Sequence, residues 1–393
     1  MIRPLVPALL LGFAAGNVLG HGPASSPPDN EARKIQFPNT AEYQTIVLDP
    51  HTHSVFSDGH VWPRIRIEEA LRDGLDAIAI TEHLEYQPHI ADIPHPDRNR
   101  AYEEAVAAAA GTPLIVIAGV EITRDAPAGH MNAIFIEDAN TLHRPPAAQT
   151  DVKTLYVEGG SWPAQAAIEA ANAQHAFVFW NHPFWGADFP NGIPVIPVFH
   201  RDNAKAHLLH GIEIANGNDY SEETFQIALD YGLTLMGVSD VHDLIDWDYD
   251  PHNGGHRPVT LVFATERSPA AIRQALFDGR TVVWFKNLLI GRRAQLDPLL
   301  AASLTLVNPR YDKDGDVLSV SLVNSSDASF ELMNGSRFTF FDSGDLIQVP
   351  AHGSTDLRVK TGTRLDRIDL AFDVLNALTA PKETAQIKLG ATL

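Results

Sequence analysis

The chain has 393 residues, 45% of them hydrophobic, a formal charge of −20 and no cysteine. That length suits a large domain plus a smaller one, and the charge argues against broad affinity for nucleic acid or anionic membrane. The lack of cysteine excludes disulfides, thiolate zinc sites, iron–sulfur clusters and cysteine nucleophiles, so any metal must be held by histidine and carboxylate.

The opening residues, MIRPLVPALLLGFAAGNVLG, read as a secretory signal over 1–20. Arg3 gives the positive start, Leu5–Ala15 the apolar stretch, and Val18 and Gly20 suit the cleavage positions. The apolar run is short for a membrane span. This predicts a periplasmic or secreted protein with no span after signal removal. No cysteine follows, which excludes a lipoprotein. Residues 21–40, rich in Pro, Ser and Asn, read as a flexible leader.

From residue 45 to about 265, strand-like and helix-like runs alternate. The apolar runs are TIVLD (45–49), AIAIT (77–81), PLIVIAGVEI (113–122), MNAIFI (131–136), AFVFW (176–180), GIEIAN (211–216) and TLMGVS (234–239). Such continuous runs suit parallel strands buried on both faces. Helical stretches fall at 66–73, 100–110, 163–174 and 221–231, with Gly74 as a helix stop and Ser221 as a helix start. The repeated alternation predicts an α/β barrel. Residues 258–285 add a strand (VTLVFA), a helix (SPAAIRQALFDG) and a strand (TVVWF). After about 295, runs such as DVLSVSLVN and RIDLAFDV alternate with period two between turn residues. That predicts a small antiparallel sandwich with one wet face per sheet, and a packing or protein-partner role.

The polar residues gather at the strand ends. His51, His53 and Asp58 follow the first run; His83 ends AIAITEH; Glu121 lies in GVEIT; His182 lies in FWNHPFW; Asp240 and His242 end MGVSDVH. His130 precedes its strand, which places it on the incoming loop. H-x-H and D-x-H put both side chains on one strand face. A lone histidine at a strand end is usually a hydrogen-bonded rim residue. Six histidines and three carboxylates at successive strand ends predict a metal site, and imidazole with carboxylate suits Zn²⁺, Mn²⁺ or Fe²⁺.

The motifs HTHSVFSDG, ITEH, GVEIT, GHMNAIF, WNHP and SDVH resemble the PHP (polymerase and histidinol phosphatase) family, over roughly residues 45–265. EHLEYQPH, DRNRAYE and RPVTLVFATERS resemble its secreted or periplasmic subgroup with a C-terminal β-domain. The resemblance implies a distorted (β/α)7 barrel over 41–293, a β-sandwich domain over 294–393, and a centre of three divalent metals (Zn, Mn or Fe). It implies His51, His53, Glu121 and Asp240 at the first metal, Asp58, His83 and His182 at the second, and bridging Glu121 with His130 and His242 at the third. Glu82 stands where the family often has Asp.

Closely spaced dications give hydroxide near neutral pH and neutralise phosphate charge. The expected function is therefore hydrolysis of a phosphomonoester or small phosphodiester on a small phosphorylated substrate. Glu121 and Asp240 would position a metal-bridging hydroxide. Asp49 is a candidate to orient a ligating imidazole. Arg124, Arg257 and His89 are candidate substrate contacts, with Lys286, Arg98 and Arg100 behind them. Segment 85–102 is a candidate lid. Surface salt bridges and a solvated loop are the plainer roles for these residues. Two alternative readings remain: an amidohydrolase-like C–N or C–O hydrolase, for which Asp58, His83 and His130 are surplus, and a non-catalytic metal-dependent binding module.

Overall fold

The computed structural model describes residues 34–144, 151–313 and 315–393. The expected signal, and residues 21–33 of the expected leader, lie outside the described residues. Residues 34–40, also expected in the leader, are instead fastened to the fold. Ile35 is buried and its N–H donates to the Asp73 carbonyl at 2.9 Å, while Phe37 sets its ring against Trp284 at 5.1 Å.

The barrel strands are β1 (Gln44–Asp49), β2 (Ala77–Ile80), β3 (Ile115–Ile122), β4 (Met131–Ile134), β5 (Phe177–Trp180), β6 (Gly211–Asn216) and, after the short β7 (Asp219–Tyr220), β8 (Thr234–Val238). They neighbour one another in the order β1-β2-β3-β4-β5-β6-β8. Every pairing is parallel except those of β4, which runs antiparallel to β3 and β5. The continuous apolar runs predicted burial on both faces correctly, but such a run is equally compatible with one reversed strand. The reversal brings the start of β4 to the barrel end where the other strands finish, which explains His130.

The ring closes between β8 and β1 at that same end. His53 N–H donates to Val241 O at 3.1 Å, and Asp240 N–H to His51 O at 3.0 Å. Lower down, β9 (Val259–Ala264) pairs antiparallel with β1, and the Thr260 hydroxyl bonds Gly237 O of β8 at 2.9 Å. A β-carbon at Gly237 would lie 2.3 Å from Val283 Cγ1 and 3.1 Å from the Val259 carbonyl oxygen of β9, so the close packing here favours glycine. The result is a distorted (β/α)7 barrel.

Helices cover the outside: α1 (Pro63–Arg72), α2 (Arg100–Ala108), α3 (Val152–Gly160), α4 (Ala164–Ala173), α5 (Val198–Lys205), α6 (Glu222–Tyr231), α7 (Ile245–Tyr249), α8 (Pro269–Phe277) and α9 (Arg293–Ser303). Gly74 follows α1 at φ 71°, and Leu75 N–H returns to Ala70 O, so the helix stops where its glycine indicated. Ser221 caps α6 by accepting from Thr224 N–H at 3.2 Å. The sequence pattern did not reveal α3, α5, α7 and α9. The first ends in Gly-Gly, and the last carries Pro298 inside it.

Next come β10 (Thr281–Phe285) and β11 (Leu288–Gly291), and then the C-terminal all-β domain. Its strands are β12 (Leu304–Tyr311), β13 (Val317–Asn324), β14 (Phe330–Asn334), β15 (Thr339–Phe340), β16 (Leu346–Val349), β17 (Ser354–Lys360), β18 (Arg367–Ala380) and β19 (Glu383–Thr392). One sheet runs β12-β13-β17-β15; the other joins β16, β14, β18 and β19. Burial alternates along β13 as the period-two pattern predicts. β18 also pairs in parallel with β11, Leu289 opposite Ala377, so this sheet continues into the barrel sheet. Leu296, Leu299 and Leu300 of α9 belong to one apolar core with Ile67 and Leu261 of the barrel and Leu318 and Phe330 of the β-domain.

Arg257, expected as a substrate contact or a surface ion pair, is neither. It is fully buried, with Nη2 at 2.7 Å from Asp73 and Nη1 at 3.1 Å from Asp49. Asp49 takes this cation and the Ser239 hydroxyl, rather than a ligating imidazole. Replacing Arg257 with Met removes the cation from two buried carboxylates. The expected loss is about 3–5 kcal/mol in urea unfolding. Unchanged stability with a raised KM would instead return Arg257 to the substrate.

Candidate metal centre

The nine residues singled out by the strand-end pattern lie together at one end of the barrel. His51 and His53 leave β1 side by side, with Nε2 atoms 2.9 Å apart. Both Nε2 atoms lie 3.1 Å from Asp240 Oδ1, which nevertheless has no hydrogen-bond partner. Glu121, at the end of β3, is fully buried and faces two ways. Its Oε2 is 3.1–3.3 Å from nitrogens of His51, His53 and His83. Its Oε1 is 2.8 Å from His130 Nδ1 and 3.5 Å from His182 Nε2. Asp58 Oδ1 is 3.2 Å from His242 Nε2 and 3.5 Å from His83 Nε2, and it too is buried without a hydrogen bond. Asp240 and His182 have non-glycine backbones at φ 50° and 26°, a strained conformation that clusters at functional sites.

Three sets of ligand atoms lie close enough to share an ion: His51, His53 and Asp240; His53, Asp58, His83 and His242; His83, Glu121 and His130. These sets put His242 with Asp58 and His83, where the family resemblance implied His182, and include His182 in none of them; its Nε2 lies 3.5 Å from Glu121 Oε1. β8 closes against β1, which brings His242 to Asp58; β5 lies beside β4, which brings His182 to within 5.0 Å of the His130 ring. Strand order, absent from the motifs, sets which of these side chains are neighbours.

Hydrogen bonds behind the centre orient the imidazoles. Glu213 accepts from His51 Nδ1 at 2.7 Å, so His51 Nε2 turns its lone pair inward. Asp240 O accepts from His242 Nδ1 at 2.8 Å, with the same effect. Ser57 lies 3.2 Å from His53 Nδ1 and donates to Glu82, which also takes the Ser54 hydroxyl. Glu82 is thus a hydrogen-bonding support in the position where the family often has Asp. Two imidazole lone pairs facing each other at 2.9 Å, with a bare carboxylate oxygen beside them, repel unless a proton or a cation lies between. The donor set is hard and borderline, nitrogen and oxygen only, and fits divalent Zn, Mn or Fe.

The electrostatics without metal follow from this crowding. Burial disfavours charge on His53, but the carboxylates of Asp240 and Glu121 beside it outweigh that and raise its pKa to about 10. Burial likewise opposes protonation of His51, and Asp240, Glu213 and Glu121 reverse the effect. Burial would push Asp58 up; the imidazoles of His242 and His83 facing its carboxylate hold it well below the usual carboxylate range. His83 shifts down, chiefly through burial.

A cavity of about 550 Å³ opens above these groups. Tyr86, Thr123, Tyr156, Phe184, Trp185, Gly186, Asn216 and Asp219 complete its lining. The expected substrate contacts are not in that lining. Arg124 is buried in an ion pair with Glu85 and donates to Trp162 O. His89 lies beside His60, 6.5 Å between rings. Arg98 is buried and donates to His95 O, Arg100 pairs with Glu104, and Lys286 donates to Asn218 O. From the candidate lid, Tyr86 alone reaches the lining. Trp180 is buried and stacks on His200, whereas Trp185 stands at the cavity mouth.

Sequence reasoning missed Glu213 and Arg66. Glu213 is a charged residue inside the apolar run GIEIAN, the same signal that marked Glu121 in GVEIT. Arg66 lies on the buried face of α1, where its guanidinium donates to the carbonyls of His53 (2.7 Å), His242 (2.7 Å) and Asp243 (2.6 Å). It therefore clamps the two ligand-bearing loops at the barrel closure. An arginine in a helix next to Glu68 and Glu69 carries no such signal.

An ion bound at His53 would have to displace its proton. The His53 pKa is raised from 6.5 to about 10, so the folded protein keeps this proton at neutral pH and loses it as pH rises through 10. Zn²⁺ binding to metal-free protein at pH 8 is therefore expected to release protons. Affinity should rise about tenfold per pH unit per proton displaced across that window. Calorimetry in two buffers of different ionisation enthalpy measures this; equal heats would contradict it.

A family model described as DUF5001, an Ig-like domain, matches residues 304–390. No curated protein matches the chain. Among solved structures, a two-domain protein from Bacteroides vulgatus ATCC 8482 containing a predicted PHP-like metal-dependent phosphoesterase is 35% identical, with a TM-score of 0.80. The match covers 91% of this chain and 98% of that one. A protein inferred to be a metal-dependent phosphoesterase from Bifidobacterium adolescentis ATCC 15703 is 20% identical at TM-score 0.38, covering 52% of this chain and 90% of its own. An amidohydrolase from Chromobacterium violaceum, solved with sulfate and no metal, is 16% identical at TM-score 0.35, covering 50% and 87%. Neither of the last two adds to the assignment. On the strength of the first match, along nearly the full length of both chains, this protein belongs to the two-domain PHP-like family.

Proposed function

We propose that the chain is a metal-dependent hydrolase of phosphoester bonds, working with three divalent ions. The observation that carries this reading is Glu121, whose two oxygens face separate groups of imidazoles at the centre of the nine-residue cluster. A carboxylate in that position can serve two ions at once. His51, His53 and Asp240 would hold one ion with Glu121; Asp58, His83 and His242 a second; His130 and His182 a third with Glu121. Bound divalent ions would supply activated water and neutralise phosphate charge. The protein's own groups fix the geometry: Glu213 sets the tautomer of His51, the Asp240 carbonyl sets that of His242, and Asn181 Nδ2 holds Glu121 Oε1 at 2.9 Å.

The PHP-like phosphoesterase assignment of the Bacteroides protein supports this reading. The amino-terminal pattern supports export to the periplasm or the exterior. No helix among the described residues is long and apolar enough to cross a membrane. The pairing of β18 with β11 supports a packing role for the Ig-like domain.

The test is release of phosphate from a panel of phosphate esters, beside a panel of amides and lactones, before and after chelation. Phosphoester hydrolysis that is lost on chelation and restored by Zn²⁺ or Mn²⁺ is expected. Glu121→Gln should lower kcat by more than about 100-fold, beyond the loss typical of residues that only support ligands. Cleavage of amides or lactones with no phosphate release would transfer the protein to the amidohydrolase-like reading.

A further inference from the structure

The cavity above the metal centre has an unusual charge distribution for a site that receives phosphate. Among the described residues, no lysine or arginine lines it. The neighbouring cations are committed elsewhere: Arg124 to Glu85, and Lys286 to the Asn218 carbonyl. Beyond the ligands the wall is largely aromatic, with Tyr86, Tyr156, Phe184 and Trp185, and the rest of it is Thr123, Gly186, Asn216 and the carboxylate of Asp219. The indole of Trp185 lies 5.4 Å from the His130 ring and 5.5 Å from His182, yet the residue is 48% exposed. Tyr86 stands 5.9 Å from His83 and 6.2 Å from Tyr156.

We propose that this cavity takes a phosphomonoester bearing a single phosphate on an uncharged ring, with the ring lying against Trp185 and Tyr86. The proposal rests on the phosphoesterase reading above and names its substrate class. A single phosphate can be neutralised by the metal centre. A second phosphate, or a polynucleotide backbone, would meet a wall with no cation and the Asp219 carboxylate, at an energetic cost. A ring covers exposed aromatic surface next to the ligands and gains stacking energy. The cavity volume suits a compact organic group. In the reaction, water oxygen bonds to phosphorus, the ester P–O bond breaks, and a proton of that water goes to the leaving oxygen. The products are a ring-bearing alcohol and inorganic phosphate.

The test uses the metal-loaded full chain and three probes: phenethyl phosphate, n-propyl phosphate and propane-1,3-diyl bisphosphate. The two monoesters have leaving alcohols of similar acidity, so their comparison isolates the ring. Phenethyl phosphate should exceed n-propyl phosphate in kcat/KM by about tenfold, and the bisphosphate should fall about tenfold below n-propyl phosphate. Trp185→Ala should collapse the ring preference to within about threefold, and Trp185→Phe should retain it. A wild-type ratio near one, a bisphosphate as good as the monoester, or a preference that survives Trp185→Ala would overturn the proposal while leaving phosphoester hydrolysis standing. Hydrolysis of none of the three esters by metal-loaded protein that hydrolyses other members of the ester panel would overturn this proposal and leave the phosphoesterase reading standing; no hydrolysis across that whole panel would overturn both.

Discussion

Glu121 is the residue on which the site depends. It is fully buried, and its two oxygens are shared among the histidines of four different strand ends. An isolated buried carboxylate is expensive, and surrounding it with imidazoles alone only moves protons within the cluster. Burial favours the neutral form of Glu121, but the charges of His83, His51 and His130 hold it ionised, well below the usual carboxylate range. Divalent cations would satisfy the same groups without the crowding of His51 Nε2 against His53 Nε2.

The fold exists to bring those strand ends together. Reversal of β4 places His130 opposite the end of β3. Closure of β8 on β1, through the backbone bonds of His53 and Asp240 and the clamp of Arg66, places Asp240 and His242 against His53 and Asp58. Arg257 holds the underside of the same seam through Asp49 and Asp73. Buried cations therefore brace the ligand loops on both sides, which keeps the ligand atoms in register with one another. The Ig-like domain extends this scaffold, since β18 continues the sheet from β11 and α9 shares its core with both parts.

Much of this is legible in the residues alone. Ligand candidates announce themselves by type and by position after apolar runs, and the nine singled out are the nine that converge. What escapes is what depends on neighbours in space. The pairing of His242 with Asp58 and of His182 with Glu121 follows from strand order, which no motif encodes. Arg124 and Arg257 look like free cations because the carboxylates they meet, Glu85, Asp49 and Asp73, are distant in sequence. Glu213 could have been found by applying to GIEIAN the rule that found Glu121 in GVEIT. The short leader failed at Ile35 and Phe37, where two apolar side chains in a polar stretch are enough to anchor it.

The most direct test of the account is the number and location of the ions. Anomalous scattering at the Zn, Mn and Fe edges from crystals of the full chain would give both. The account predicts three ions, with Glu121 bridging two of them, His242 on the ion held by Asp58, and His182 on the ion held by His130. One ion or none after reconstitution, or ions that leave Glu121 unligated, would contradict it.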